Sequence, residues 1–101
     1  MSDPKSRQQQ SPDPSDETSP TPFIGYAAAL ERIRLVTAWY SEAIGQEEQS
    51  ESPDVTRLAA LRAERRSCTA DERALADADA AEITRTATAY ARRYRGLRTP
   101  D

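Results

Sequence analysis

Glycine and proline are nearly missing from most of this 101-residue chain. Between residues 23 and 97 the only proline is Pro53, and the three glycines of the chain stand at positions 25, 45 and 96. Because these two residue types interrupt helices and favour turns, their scarcity is typical of long helices. The sequence therefore predicts an all-α fold with few turns.

The N-terminal segment 1–21 has a different composition. It is rich in proline, serine and glutamine, and Met1 is its only large apolar residue. Such a segment buries too little apolar surface to offset the entropy that it would lose on ordering. We therefore predict a disordered tail over 1–21, followed by one small helical domain over 22–98.

The first predicted helix runs from about residue 22 to residue 47. Thr21 is a residue type that caps helices, and Pro22 suits the first helical position. Apolar residues then recur every three to four positions, which predicts a stripe that packs against another helix at a shallow angle. The stripe comprises Phe23, Tyr26, Leu30, Ile33, Thr37, Tyr40 and Ile44, and it is widened on one side by Ala29, Val36 and Ala43.

The second predicted helix runs from about residue 53 to residue 96, with Ser52 as its cap, Pro53 and Asp54 in its first turn, and Gly96 at its end. Its apolar residues form an early and a late stripe, namely Leu58, Leu61, Cys68 and Leu75, and then Ile83, Ala87, Tyr90, Tyr94 and Leu97. The step from Leu75 to Ile83 is longer by one residue than the seven of a regular repeat. We interpret the single cysteine as a small buried apolar residue.

One alternative stays open within this second helix. Thr69 and Glu72 match a capping box, so the helix could break at Ser67–Thr69 and give a three-helix bundle. No glycine or proline marks a turn there, and we therefore favour one continuous helix. The predicted fold is an antiparallel, coiled-coil-like two-helix hairpin with a long second helix, and the three-helix bundle is its alternative.

Unequal helix lengths leave part of this hairpin uncovered. At a rise of 1.5 Å per residue, the first helix is about 36 Å long and the second about 65 Å. The late stripe then has no partner inside the chain, and apolar surface of this kind marks an interaction site. We therefore predict a homodimer or a docked protein partner. The predicted partner-binding residues are Ile83, Tyr90 and Tyr94 on the late stripe, and Leu35 and Trp39 on the outer side of the first helix.

Nucleic acid is the alternative partner. Residues 92–98 carry four arginines and no acidic residue. Tyr94 stands among them and Tyr90 just before them, so the segment offers groups that bind phosphates and groups that stack on bases. The binding residues of this alternative are Arg92, Arg93, Arg95 and Arg98. The formal net charge of −3 counts against it, as does the fact that 13 of the 14 basic residues are arginine, a bias typical of GC-rich coding sequences.

Catalysis, metal binding and membrane insertion are disfavoured by residue types that the chain does not have. It contains no histidine and one cysteine, which excludes imidazole bases, multi-cysteine zinc sites and internal disulfides. No segment reaches the roughly 18 apolar residues of a membrane span, and no apolar leader stands at the N-terminus. We therefore expect a cytoplasmic, non-enzymatic interaction or adaptor protein that uses no cofactor and no metal.

Overall fold

The computed structural model describes residues 24–99, and these residues form three helices. Helix α1 spans Tyr26–Glu48, α2 spans Val55–Leu75 and α3 spans Ala80–Arg98, and no strand occurs within 24–99. The all-α prediction is confirmed for this part of the chain. The predicted tail 1–21 and the predicted helix start at Thr21 and Pro22 lie outside the described residues.

The two-helix hairpin is wrong, because the second predicted helix is in fact two helices. The chain leaves α2 after Leu75 and enters α3 at Ala80, so the break lies at residues 76–79. Residues 67–69, the site of the alternative break, lie inside uninterrupted α2. Asp79 has an extended backbone, and its carboxylate accepts a 2.8 Å hydrogen bond from the backbone N–H of Glu82. This side chain caps α3 and stabilises the break.

The starts of the first two helices also differ from the prediction. α1 begins at Tyr26, after Gly25 in an extended conformation. Asp54, rather than Ser52, caps α2, because its side chain accepts a 3.0 Å hydrogen bond from the backbone N–H of Arg57. An aspartate satisfies one of the free N–H groups of a first turn as well as a serine does, and it adds a negative charge at the positive end of the helix dipole.

α1 lies between the other two helices and packs against both of them. α2 is antiparallel to α1, since ion pairs join opposite ends of the two helices, Arg62–Glu48 and Arg34–Glu72. α3 is parallel to α1, because the backbone N–H of Ile24 donates to the Thr84 hydroxyl near the start of both helices. The third helix continues through Gly96 to Arg98, so this glycine does not end it as predicted.

The core lies between α1 and the two helices that pack on it. Its buried members are Ala29, Ile33, Val36, Tyr40 and Ile44 from α1, Leu58, Leu61, Cys68 and Leu75 from α2, and Ala87 and Tyr90 from α3. The buried side of α1 is rotated from the predicted stripe, because α1 faces two helices rather than one. Val36 is therefore fully buried, whereas Tyr26 is 44% exposed.

Removing the cap of α3 tests the position of the break. Asp79→Ala deletes the acceptor for the Glu82 N–H, so we expect the free energy of unfolding to fall by about 1 kcal/mol in urea denaturation. Asp77→Ala is the matched control in the same connection, and it should change this free energy by less than about 0.5 kcal/mol. In a continuous helix, alanine would be the better residue at position 79, so a stabilised Asp79→Ala variant would contradict the break.

Candidate interaction surfaces

The five residues predicted to bind a partner do not form a common surface, because α3 folds back onto α1. Tyr90 is only 4% exposed, and Ile83 and Tyr94 are partly buried against the core. The late stripe is therefore covered by the same molecule. This covering removes the reason for expecting a partner there. Leu35, by contrast, is 41% exposed.

Arg93, a member of the predicted nucleic-acid segment, contacts all three helices. Its guanidinium lies 5.4 Å from the ring centroid of Tyr40 on α1 and 5.3 Å from that of Tyr90 on α3. The same group donates a 3.3 Å hydrogen bond to the Tyr40 hydroxyl and forms an ion pair with Glu64 of α2. A partly desolvated cation over an aromatic ring contributes about 0.5–2 kcal/mol. The position therefore stabilises the bundle.

Tyr90 bridges the gap between α3 and α2. Its hydroxyl donates a hydrogen bond to the carboxylate of Asp71. Burial disfavours the charged phenolate and the bond to Asp71 favours the neutral phenol, so both raise the pKa of Tyr90 well above its ordinary value. Long polar side chains thus connect α2 with α3, while each of these helices packs mainly on α1.

An outer stripe of α1 is covered by neither α2 nor α3. Positions 31, 35, 38 and 42 repeat every three to four residues, lie on one helix face and are all exposed. We call these residues, Glu31, Leu35, Ala38 and Glu42, the α1 stripe. Neither glutamate forms an ion pair with another residue of the described range 24–99. The stripe therefore combines an apolar centre with two negative charges that no residue of the described range neutralises.

Trp39 lies beside the α1 stripe, and contacts with the core of the bundle fix its side chain. Its ring meets the Tyr40 ring edge-on, with centroids 5.3 Å apart, and it packs against the core. Its remaining surface lines a shallow hollow together with Glu42, Ala43, Gln46 and Arg57. Leu35 and Trp39, predicted as a pair, thus differ in exposure, and the indole forms a fixed edge of the stripe.

A second outer stripe, of opposite charge, runs along α3. Its exposed residues are Ala81, Arg85, Thr88, Arg92 and Arg95, and we call them the α3 stripe. No acidic residue follows Glu82 in α3, and none within 24–99 forms an ion pair with these three arginines. Arg98 is also exposed and lies 5.6 Å from the ring centroid of Tyr94. The predicted arginine segment is thus divided, since Arg92 and Arg95 point outward while Arg93 points inward.

The described residues contain no group of side chains suited to a metal ion. Over 24–99, no three acidic or cysteine side chains come close enough together to hold a metal ion. A hollow between α2 and α3 is lined by three alanines, Ala74, Ala78 and Ala89, and by larger side chains that include Glu82 and Arg85. The carboxylate of Asp71, which also lines it, is bonded to Tyr90. Nor does any helix in this part of the chain have the length and apolar character of a membrane span.

The raised pKa of Tyr90 predicts how stability depends on pH. Above about pH 10 the phenol ionises in the unfolded chain but keeps its proton in the folded one, so the folded state binds more protons and loses stability as pH rises. In Tyr90→Phe this contribution is missing. Urea denaturation between pH 8 and pH 11 should show the native free energy of unfolding falling more steeply above pH 10, by up to about 1.4 kcal/mol per pH unit. Identical slopes for the two proteins would contradict the burial of the Tyr90 hydroxyl against Asp71.

No known relative indicates what the surfaces of this fold bind. In comparisons with known proteins, the chain matches no family model, no curated protein and no solved structure.

Proposed function

We propose that this chain is a non-enzymatic protein-interaction module that presents the α1 stripe to a protein partner. The observation that carries the proposal is the exposed side chain of Leu35 in the middle of α1. A single exposed leucine is ordinary, but Ala38 and the outer edge of Trp39 extend it into a continuous apolar surface at the centre of the α1 stripe. Glu31 and Glu42 stand at the two ends of the stripe and provide a polar rim.

The size of the stripe indicates a weak or transient contact. Full burial of a leucine side chain contributes roughly 1.5–3 kcal/mol, and Leu35 is already more than half covered, so about 1 kcal/mol remains for a partner to gain. Tryptophan is enriched among the residues that dominate binding, and Trp39 is preorganised by its contact with Tyr40. Charges at the rim add specificity and raise the association rate more than they add affinity.

Cross-linking from the stripe tests the proposal. A photoreactive phenylalanine analogue is placed at Leu35 in the organism that encodes the chain, and the matched control carries it at Ala59, an exposed position of α2. We expect covalent protein adducts from position 35 and none from position 59, because only the first lies in the contact. Absence of adducts at position 35, or the same adducts at both positions, would count against the α1 stripe as a protein-binding surface.

Nucleic acid stays the second candidate because of the α3 stripe. Arg85, Arg92 and Arg95 lie along one helix face within about 15 Å, a spacing at which they could contact several phosphates. Two facts place this candidate second. Arg93 is engaged inside the bundle. The parallel direction of α3 and α1 also brings the C-terminal end of α3 to the end of the bundle that carries the acidic connection 49–54. The negative charges of this connection repel phosphates.

Binding of a labelled DNA duplex or single-stranded RNA separates the two candidates. If the protein-interaction proposal holds, fluorescence anisotropy at about 50 mM salt should give the same weak signal for the native chain and for Arg85→Gln/Arg92→Gln/Arg95→Gln. A strong signal that is lost in this triple variant and decreases steeply with added salt would instead favour the nucleic-acid function.

A further inference from the structure

The α1 stripe and the α3 stripe carry opposite charges at matching distances. Glu31 and Glu42 are 11 residues apart, which is about 16 Å along a helix. Arg85 and Arg95 are 10 residues apart, or about 15 Å. Because arginine side chains are long and flexible, they absorb the difference, and both glutamates of one α1 stripe can face arginines of one α3 stripe.

The apolar centre of the α1 stripe also has a matching position on α3. When the two helices lie parallel with Glu31 opposite Arg85, Leu35 falls opposite Ala89. This alanine is exposed and lines the hollow between α2 and α3, together with Ala74. Small side chains there let a helix approach closely and leave room for the leucine, while the arginine stems can cover its sides.

The same charges disfavour contacts between two like stripes. Two α1 stripes related by an antiparallel two-fold axis would bring glutamates of the two copies together, and two α3 stripes would bring arginines together. Like charges placed opposite each other in an interface cost several kcal/mol. A contact between unlike stripes avoids this repulsion, but the two stripes of one molecule face outward on different helices and cannot meet. The acceptable contact therefore joins different molecules.

We propose that the α1 stripe of one copy binds the α3 stripe of the next, so that the chain assembles head to tail. This inference rests on the proposed function, because it names a second copy of the chain as the partner of the α1 stripe. A contact between unlike surfaces leaves one free α1 stripe and one free α3 stripe at the two ends of every open assembly. Growth therefore continues until the assembly closes into a ring or extends as a filament.

Variants that neutralise one stripe each provide the test. The α1-stripe variant is Glu31→Gln/Leu35→Ala/Glu42→Gln, and the α3-stripe variant is Arg85→Gln/Arg95→Gln. The control neutralises two exposed arginines of α2, Arg66→Gln/Arg73→Gln. Circular dichroism of all three should show native helicity, since every substituted side chain is exposed and glutamine and alanine favour helices.

Sedimentation velocity at about 100 µM protein and about 50 mM salt measures the assembly. We expect the native chain and the control to form species larger than a dimer, and each stripe variant to associate at least tenfold more weakly. An equimolar mixture of the two stripe variants should form a dimer and nothing larger, because one intact α1 stripe then meets one intact α3 stripe. A contact between two like stripes would not produce this complementation.

Two outcomes would overturn the head-to-tail assembly, namely a monomeric native chain under these conditions or a mixture of variants that stays monomeric. Cross-linking at position 35 separates this failure from failure of the proposed function. Adducts with a different protein would keep the α1 stripe as a binding surface while excluding a second copy as its partner. Complete absence of adducts would contradict both the proposed function and the head-to-tail assembly.

Discussion

The guanidinium of Arg93 joins the third helix to the other two, because its contacts involve side chains of all three helices. It lies over rings from α1 and α3 and forms an ion pair with α2. Its side chain is only 29% exposed, so part of the hydration of the charge is lost. Such a loss is unfavourable without compensating contacts, and Tyr40, Tyr90 and Glu64 supply them. The α3 helix is thereby held against α1, and this packing buries the apolar residues that would otherwise face solvent.

Much of the fold was predictable because helix periodicity is a local property. The all-α class and most buried positions of α2 and α3 follow from the spacing of apolar residues, and Cys68 is fully buried, as interpreted from its place on the stripe. The break was not predictable in the same way. Asp79 and Glu82 have the same spacing as Thr69 and Glu72, so local signals alone do not separate the two capping sites. The packing of α3 on α1 decides between the two sites. In the sequence, the sign of the break was the long step from Leu75 to Ile83.

The exposure of the candidate site residues could be predicted only where the periodicity of a single helix determines it. Leu35 is exposed because it lies off the buried side of α1, and periodicity shows this. Arg92 and Arg93 are indistinguishable in sequence, since their roles depend on which side of α3 meets the other helices. Arg85 was missed because it stands apart from the C-terminal arginine segment. The register of α3 places it on the same face as Arg92, and a basic stripe becomes visible.

A direct measurement of the Arg93–Tyr40 contact tests whether α3 folds back in this way. In a nuclear Overhauser spectrum of the full chain, we predict cross-peaks from the Arg93 δ-methylene protons to the ring protons of Tyr40, which is 53 residues away in sequence. Cross-peaks to Tyr90 alone, one turn away on the same helix, would indicate that α3 points away from α1. That result would contradict the three-helix bundle and the arrangement of both outer stripes.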